Sequence, residues 1–493
     1  MSIARSLTIS IAQTYITIGL QLLSFVIIAR LLTPEEIGLY SVAIAVIGIA
    51  QILRDFGIGS YLIQERELTT ARIRTAFTVT MIVSTTLFLV VLGAAKPAAW
   101  FYNDERLTGI LQLLSINFLL IPFNSTTMSL LKREMRFGLL ALFGILASVA
   151  GTASAIGFAL AGAGYNALVY SSIISTVTLV LAGAVYRGSE FMLRPTLAEW
   201  RRVTGFGSQV ALTNVLGHIA GNMNDLVVGK ALGFTAVGLL SRAQGVMNLF
   251  HRDMMGAIRS VAYPAFAGAS RRNADMEDIH NRSITAVTAI AWPFYGFFAL
   301  YPLESLRFLF GPQWDAAAPL VPIFCAAGAV AVVWSLSMNM ITAMGKVKLA
   351  TLSELVIQPL RIVILVVVAL TFDEIMPFAI ALLGIYCLQL INVYAFKHYA
   401  CPTSWKKLAG GLMYSAILTV LSLGPGYIIY RLFLDNGKSV DEVFGIPILA
   451  ICLALSWLVA IRLIDHPTIH DELVPARVKR ILLFPWKPAD GIR

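Results

Sequence analysis

The sequence predicts an all-α polytopic membrane protein with about 14 transmembrane helices, and three observations carry that fold class. The chain of 493 residues is 58% hydrophobic and only 13% charged, about half the charged fraction that a soluble domain uses to cover its surface. Its mean hydropathy is +0.79, and its apolar runs repeatedly reach the roughly 20 residues that cross a hydrocarbon core about 30 Å thick. The runs do not alternate with period two, which argues against strands.

In chain order, apolar runs between Gly, Pro and charge breaks centre near residues 18, 48, 85, 119, 149, 175, 217, 248, 292, 328, 360, 386, 420 and 453. The first follows directly on MSIARS. It is too long for a signal-peptide core and no small-residue cleavage site follows, so it reads as span 1. Charge tests the series. The 37 Lys+Arg outnumber the 27 Asp+Glu, an excess that in a membrane chain reads as the positive-inside bias rather than as nucleic-acid binding. With the N-terminus inside, the outer side holds only Arg30, Lys96, Arg106, Lys230, Arg307, Arg431 and Lys438, while Arg54, Arg242, Arg252, Arg259 and Arg361 lie within spans. All other basic residues fall on the cytoplasmic side, so both termini are expected there. No extramembrane segment is long enough for a folded domain. The longest are a loop around 264–281 and a tail from about 465, whose Lys/Arg residues and Trp486 are expected to rest on the anionic inner leaflet.

The spans repeat. ARLLTPEEIGLYSVAIAV (29–46) aligns without gaps on GKALGFTAVGLLSRAQGV (229–246), matching Leu32, Gly38, Leu39, Ser41, Ala43 and Val46 to Leu232, Gly238, Leu239, Ser241, Ala243 and Val246, with Arg30 opposite Lys230. The match joins the turn between spans 1 and 2 to that between spans 7 and 8. An even number of spans separates them, so the repeats insert in the same sense, related by a pseudo-two-fold along the membrane normal. Residues 1–200 then form an N-lobe (spans 1–6), 201–400 a C-lobe (spans 7–12), 401–464 spans 13 and 14, and 465–493 the tail. Spans 1, 2, 7 and 8 would line a central cavity between lobes.

Span 7 contains NVLGHIAGNMND, in which Asn214, His218, Asn222 and Asp225 fall on one helical face. Such a stripe is costly in hydrocarbon, so it is expected to face a hydrated cavity, opposite the milder stripe Gln13, Thr17, Gln21 and Ser24 of span 1. Asn214, Asn222 and Gln21 read as hydrogen-bonding groups for sugar. Asp225 reads either as a balance for nearby arginines or as a proton carrier. His218 is either a packing residue or a second titratable group.

Taken together, ARLLTPEEIGLYSVA, LIQERELT, FYNDERL, LKREMRF and LFGPQWDAAAPLVPI, in that order over most of residues 1–400, resemble the polysaccharide-transporter (oligosaccharide flippase, Wzx-like) family of the multidrug/oligosaccharidyl-lipid/polysaccharide exporter superfamily. The resemblance implies a flippase of the bacterial inner membrane. It would move an undecaprenyl-diphosphate type of lipid-linked oligosaccharide from the cytoplasmic to the periplasmic leaflet, for exopolysaccharide, capsule or lipopolysaccharide assembly. It would do so by alternating access without ATP hydrolysis, beside a polysaccharide polymerase and a chain-length regulator.

The intramembrane charges are the candidate site. Arg54-Asp55 in span 2 and Arg252-Asp253 in span 8 form a repeated pair. Each is either an ion pair that fixes packing or an arginine presented to the substrate diphosphate, whose oxygens suit guanidinium forks. At a helical period, Arg242 and Asp253 share a face and Arg252 and Arg259 a neighbouring one, which makes Arg54, Arg242 and Arg252 the cavity candidates. Arg259 is expected to snorkel to the cytoplasmic surface. Glu354, Gln358 and Arg361 in span 11 read as an intrahelical Glu-to-Arg bridge beside Pro359, or as a second site for sugar or a proton. Trp100, Tyr102, Trp314 and Trp405, near span ends, read as interface anchors.

No cofactor or metal site is indicated, because Cys325, Cys387, Cys401 and Cys452 are scattered and no Cys/His cluster exists. Nothing resembles a Walker motif or a nucleophile triad, and the short outer loops leave no room for a glycan-joining enzyme. A peptidoglycan lipid-precursor flippase and a cation-coupled drug exporter of the same superfamily are the alternatives. The exporter would prefer acidic residues where this chain places arginines.

Overall fold

The computed structural model describes residues 19–54, 58–65, 67–188, 194–201, 222–435 and 445–471, and every regular element among them is helical. Helix α1 (Gly19–Leu31) stops just before Thr33-Pro34-Glu35-Glu36, which starts α2 (Pro34–Arg54). The Glu36 amide donates to the Thr33 hydroxyl at 3.3 Å, and the Thr33 amide donates to the Glu36 carboxylate at 2.9 Å. This reciprocal box satisfies donors that a helix start leaves open, and proline suits the first helical position, where no N–H is needed. Then come α3 (Ile58–Gln64), α4 (Thr70–Tyr102), α5 (Arg106–Arg133), α6 (Phe137–Leu160) and α7 (Asn166–Arg187). α4 ends at Asn103, whose φ of 57° is a left-handed conformation that asparagine tolerates.

After α8 (222–232), α9 (Phe234–Asn248) passes through a π-helical segment, Leu249–Met254, into α10 (Met255–Arg271). Next are α11 (Met276–Leu300), α12 (Pro302–Phe310), a 3-10 segment (Pro312–Leu320), α13 (Val321–Trp334) and α14 (Ser337–Ala343). The order closes with α15 (Val347–Thr371), α16 (Ile375–Ala400), α17 (Trp405–Asp435), α18 (Gly445–Leu463) and a 3-10 turn, Pro467–Ile469.

Among the described residues, 10 helical stretches are long and apolar enough to cross a membrane. They cover the sequence centres near 85, 119, 149, 175, 292, 328, 360, 386, 420 and 453. The other centres belong to the repeat-related spans. Position 48 falls in α2 and 248 at the junction of α9 with the π segment, whereas 18 and 217 lie outside the described residues.

The chain clusters into two compact units. The first comprises the described residues of Met1–Leu239 with Leu365–Ile375. There α4 packs along α5 and α6 along α7, with α5 also against α7, and Ile58, Tyr61, Leu62, Ala76 and Val79 form a core joining α3 to α4. The second comprises the described residues of Leu240–Ile364 and Met376–Arg493. In it α11 packs against α13 and α17, and α17 against α18, through Ala289, Leu418, Ala460 and Ile461 and through Phe297, Tyr301, Ile446 and Leu449. Val185, Trp100 and Leu370 are 85%, 83% and 81% exposed. Large apolar side chains on outer faces suit a solvent as apolar as leucine itself.

Inside the first unit the two repeated turns touch. A Cβ on Gly38 would lie 1.7 Å from the Phe234 carbonyl oxygen, and one on Gly238 would lie 1.9 Å from the Pro34 carbonyl oxygen. Gly38 corresponds to Gly238 and Pro34 to Phe234 in the repeat, so the contact is reciprocal. Only residues without a Cβ let the starts of α2 and α9 approach so closely.

Candidate functional site

A straight helix over 242–259 is what a 3.6-residue period assumes, and the structure breaks it with the π segment Leu249–Met254. A wide turn of this kind rotates everything after it around the helix axis and is frequent at functional sites. The faces read from spacing for Arg242 with Asp253, and for Arg252 with Arg259, are therefore displaced. Arg242 is only 5% exposed. Its guanidinium lies 5.1 Å from the Trp314 ring centroid and 5.7 Å from that of Phe310, a cation–π arrangement. Trp314 is itself fully buried, so it packs against Arg242 and is not an interface anchor, whereas Trp100 and Trp405 are exposed as anchors are.

Arg252 keeps its side chain 70% exposed while its Nε donates to Asp253 Oδ1 at 2.9 Å. Arg259 does not reach outward. It is half-buried and its Nη2 donates to the His251 carbonyl oxygen at 2.7 Å, so the guanidinium braces the π segment. The His251 ring meets Trp334 of α13 and Tyr386 of α16 edge-on, with centroids 6.1 and 6.3 Å apart. Arg361 of α15 lies close enough to Tyr386 to act on its hydroxyl electrostatically. The expected Glu354–Arg361 bridge is absent among the described residues, because Gln358, one turn along α15, donates to Glu354 at 2.7 Å instead.

His251 Nδ1, Arg259 Nε, Trp334 Nε1, Gln358 Oε1 and Arg361 Nε are buried without a hydrogen-bond partner among the described residues. Roughly nine in ten buried polar groups in proteins are bonded, so these five unsatisfied atoms make this the candidate place for a polar ligand. The arginine and indole N–H groups can only donate, and the histidine nitrogen can do either. The Gln358 oxygen can only accept, so the set suits a ligand rich in acceptor oxygens that also carries a hydroxyl. His251, Trp334 and Tyr386 were not legible from spacing, since three helices far apart in sequence supply them. The sequence signals beside them were the Arg252-Asp253 pair, Arg259, and Glu354, Gln358 and Arg361.

In the first unit, Gln21 is exposed on α1, and Arg54 is half-buried at the end of α2. Asn222, half-buried at the start of α8, lies against α2, where a Cβ on Gly48 would sit 2.8 Å from its Nδ2. Asp225 is half-buried and has no ion pair among the described residues. It acts electrostatically on Tyr102, whose hydroxyl donates to the Leu226 carbonyl at 3.1 Å. Asn214, His218 and Asp55 lie outside the described residues. In the turn between α4 and α5, hydrogen bonds from Arg106 hold the Asp104 carboxyl below the usual carboxylate range.

Comparison with known proteins agrees with the motifs. A family model described as polysaccharide biosynthesis protein matches residues 27–319, more than half of the chain. The chain is 23% identical over 325 residues to the lipopolysaccharide biosynthesis protein WzxC of Escherichia coli (strain K12), covering 65% of each chain. It is 25% identical over 331 residues to the succinoglycan biosynthesis transport protein ExoT of Rhizobium meliloti (strain 1021), again covering 65% of each. The matched stretch thus spans just under two thirds of the length of these two relatives. Among solved structures, the lipid II flippase MurJ in an inward closed conformation aligns with a TM-score of 0.73 at 11% identity, over 92% of this chain and 98% of that one. At such identity the likeness is one of fold. The chain belongs to the polysaccharide biosynthesis protein family.

Proposed function

We propose that the protein is a flippase that carries an isoprenoid-diphosphate-linked oligosaccharide from the cytoplasmic to the periplasmic leaflet of a bacterial inner membrane, for assembly of an exported polysaccharide. The observation that carries this reading is the donor-rich cluster around the π segment. Arg252, Arg259, Arg361 and Trp334 offer N–H groups within an apolar helical bundle, and a diphosphate is the group in such a substrate that is all acceptors. Charge-assisted bonds to guanidinium are the strong ones. Asn222, Gln21 and Asn214 would hydrogen-bond sugar, and Arg54 and Arg242 would add positive charge.

The chain is read as two six-span repeats, 1–200 and 201–400, with two further spans and both termini cytoplasmic. Movement is by alternating access and draws on an ion gradient or the membrane potential, together with removal of product by polymerisation. Asp225 is the first titratable candidate for coupling, since it has no ion pair among the described residues. His218, Glu354, Asp55 and Asp253 are the others.

The experiment is deletion of the gene with leaflet-resolved detection of lipid-linked glycan. Loss of external polymer with glycan confined to the cytoplasmic leaflet is expected. Glycan equally accessible on both leaflets in the deletion strain would rule the reading out. The fold likeness to a lipid II flippase keeps a peptidoglycan-precursor role as the second reading, and viability separates them: loss of a peptidoglycan-precursor flippase stops wall growth, whereas loss of this one removes a polymer.

A further inference from the structure

Away from the π segment, the second unit holds a cavity of about 440 Å³ framed by the first turns of α11, the first turns of α17 and the 3-10 turn after α18. We infer that this cavity is a binding site for an anionic phospholipid headgroup, a phosphodiester carrying a free hydroxyl, at the cytoplasmic surface.

Close packing of backbone makes the recess. A Cβ on Gly411 would lie 2.0 Å from Thr285 Oγ1, so α17 crosses tightly over α11 there, while nothing lies within 4 Å of one on Gly410. Two glycines in a row thus leave open space directly above a helix–helix contact. The charged walls are fixed in place. Arg282 is clamped by Asp471, with Nε and Nη2 donating to its two oxygens at 2.9 and 2.6 Å, and Asp471 is only 7% exposed. Lys407 lies 3.2 Å from Asp278. With both carboxylates so engaged, Lys406 is the lining cation without a partner among the described residues. Asn281 and Thr468 line the same cavity, and the Thr468 hydroxyl has no hydrogen-bond partner among the described residues.

This set specifies the ligand. A phosphodiester answers the surplus lysine, and a headgroup hydroxyl answers the Thr468 hydroxyl. Basic recesses between membrane helices on the cytoplasmic side are where anionic headgroups bind, and the positive-inside reading puts Lys406 and Lys407 on that side. A lipid, rather than a free phosphate, follows from what lies next to the cavity. Tyr414, which lines it, begins an exposed apolar stripe that continues through Ile417 and Leu421 of α17. Those residues are one helical turn apart and give an acyl chain a path into the bilayer.

The test is thermal stabilisation of the full chain in nanodiscs of phosphatidylglycerol against phosphatidylcholine, with inorganic phosphate and a polyprenyl phosphate added separately to the phosphatidylcholine discs. Wild type should retain phosphatidylglycerol selectively and unfold at a higher temperature in it. Lys406→Gln should weaken that selectivity about five-fold, the effect of one basic residue at a membrane surface. Gly410→Leu, which fills open space, should abolish it, and Lys348→Gln, elsewhere on the same side, should leave it intact. Equal midpoints in the two phospholipids, or selectivity untouched by both cavity variants, would overturn the proposal. The same shift from inorganic phosphate would overturn the lipid assignment, and stronger stabilisation by polyprenyl phosphate than by phosphatidylglycerol would overturn the phospholipid one. The inference does not depend on the transport reading.

Discussion

Replacing Gly38 or Gly238 by alanine tests the reciprocal crossing of α2 and α9. The added methyl would sit 1.7 Å from the Phe234 oxygen or 1.9 Å from the Pro34 oxygen, roughly 1.5 Å short of an ordinary carbon–oxygen contact of about 3.3 Å. The obstructing atoms are backbone, so no rotamer change relieves the clash and the helix starts must separate. Overpacking of this kind costs typically about 1–3 kcal/mol, and a backbone clash belongs at the upper end. Because the same separation relieves both clashes, the double variant should cost little more than the worse single one, a coupling of about 2 kcal/mol. The assay is thermal unfolding of the detergent-solubilised protein, with Gly93→Ala and Gly109→Ala as controls, since nothing lies within 4 Å of a Cβ at either. Each crossing variant should unfold several degrees early and the controls should not. Additive losses in the double variant, or none in the singles, would refute the reciprocal contact.

Lys397 is fully buried and bonded to the Glu277 carboxylate and to the Thr403 hydroxyl at 3.1 Å. Lys397→Met should cost about 3–5 kcal/mol by stranding that carboxylate, and adding Glu277→Gln should recover much of it, read from unfolding midpoints. Asp471→Asn removes a bidentate partner from Arg282 and should cost about 1.5 kcal/mol, the low end for a charged hydrogen bond because Arg282 is partly exposed. His466, in the turn after α18, is pushed down to about 4 by burial, and its Nδ1 accepts from the Thr468 amide at 3.3 Å, as a neutral ring does. Its folded pKa lies below the unfolded value of about 6.5, so the unfolded chain binds the extra proton between those values. Stability should fall as pH drops from about 6.5 through 4, and His466→Gln should flatten that slope in a midpoint-versus-pH series.

Helical class and apolar spans were readable because a bilayer imposes long uniform runs and a charge asymmetry, both local in sequence. The equivalence of Gly38 and Gly238 was readable as a repeat but not as a contact, since alignment shows which residues correspond and not that corresponding backbones meet. The candidate site was only partly legible. Arg252, Asp253 and Arg361 stood out because ionised groups are rare inside apolar helices. Their partners did not: a π turn has no sequence rule, so faces projected at 3.6 residues per turn failed beyond Leu249. Arg259 was misread because snorkelling assumes that a water-facing surface is the nearest polar refuge, and the His251 carbonyl was nearer. Glu354 likewise found the neutral Gln358 one turn away before the arginine two turns away.

The transport reading rests on the guanidinium groups around the π segment. A decisive readout is translocation of a polyprenyl-diphosphate oligosaccharide across proteoliposomes, scored by access of a membrane-impermeant lectin, for Arg252→Gln/Arg361→Gln at matched protein level and unchanged unfolding midpoint. Each lost charged hydrogen bond is worth about 1.5–3 kcal/mol, so the double variant should translocate at least about 100-fold more slowly than wild type. A double variant that moves the lipid at the wild-type rate would remove the diphosphate from this cluster.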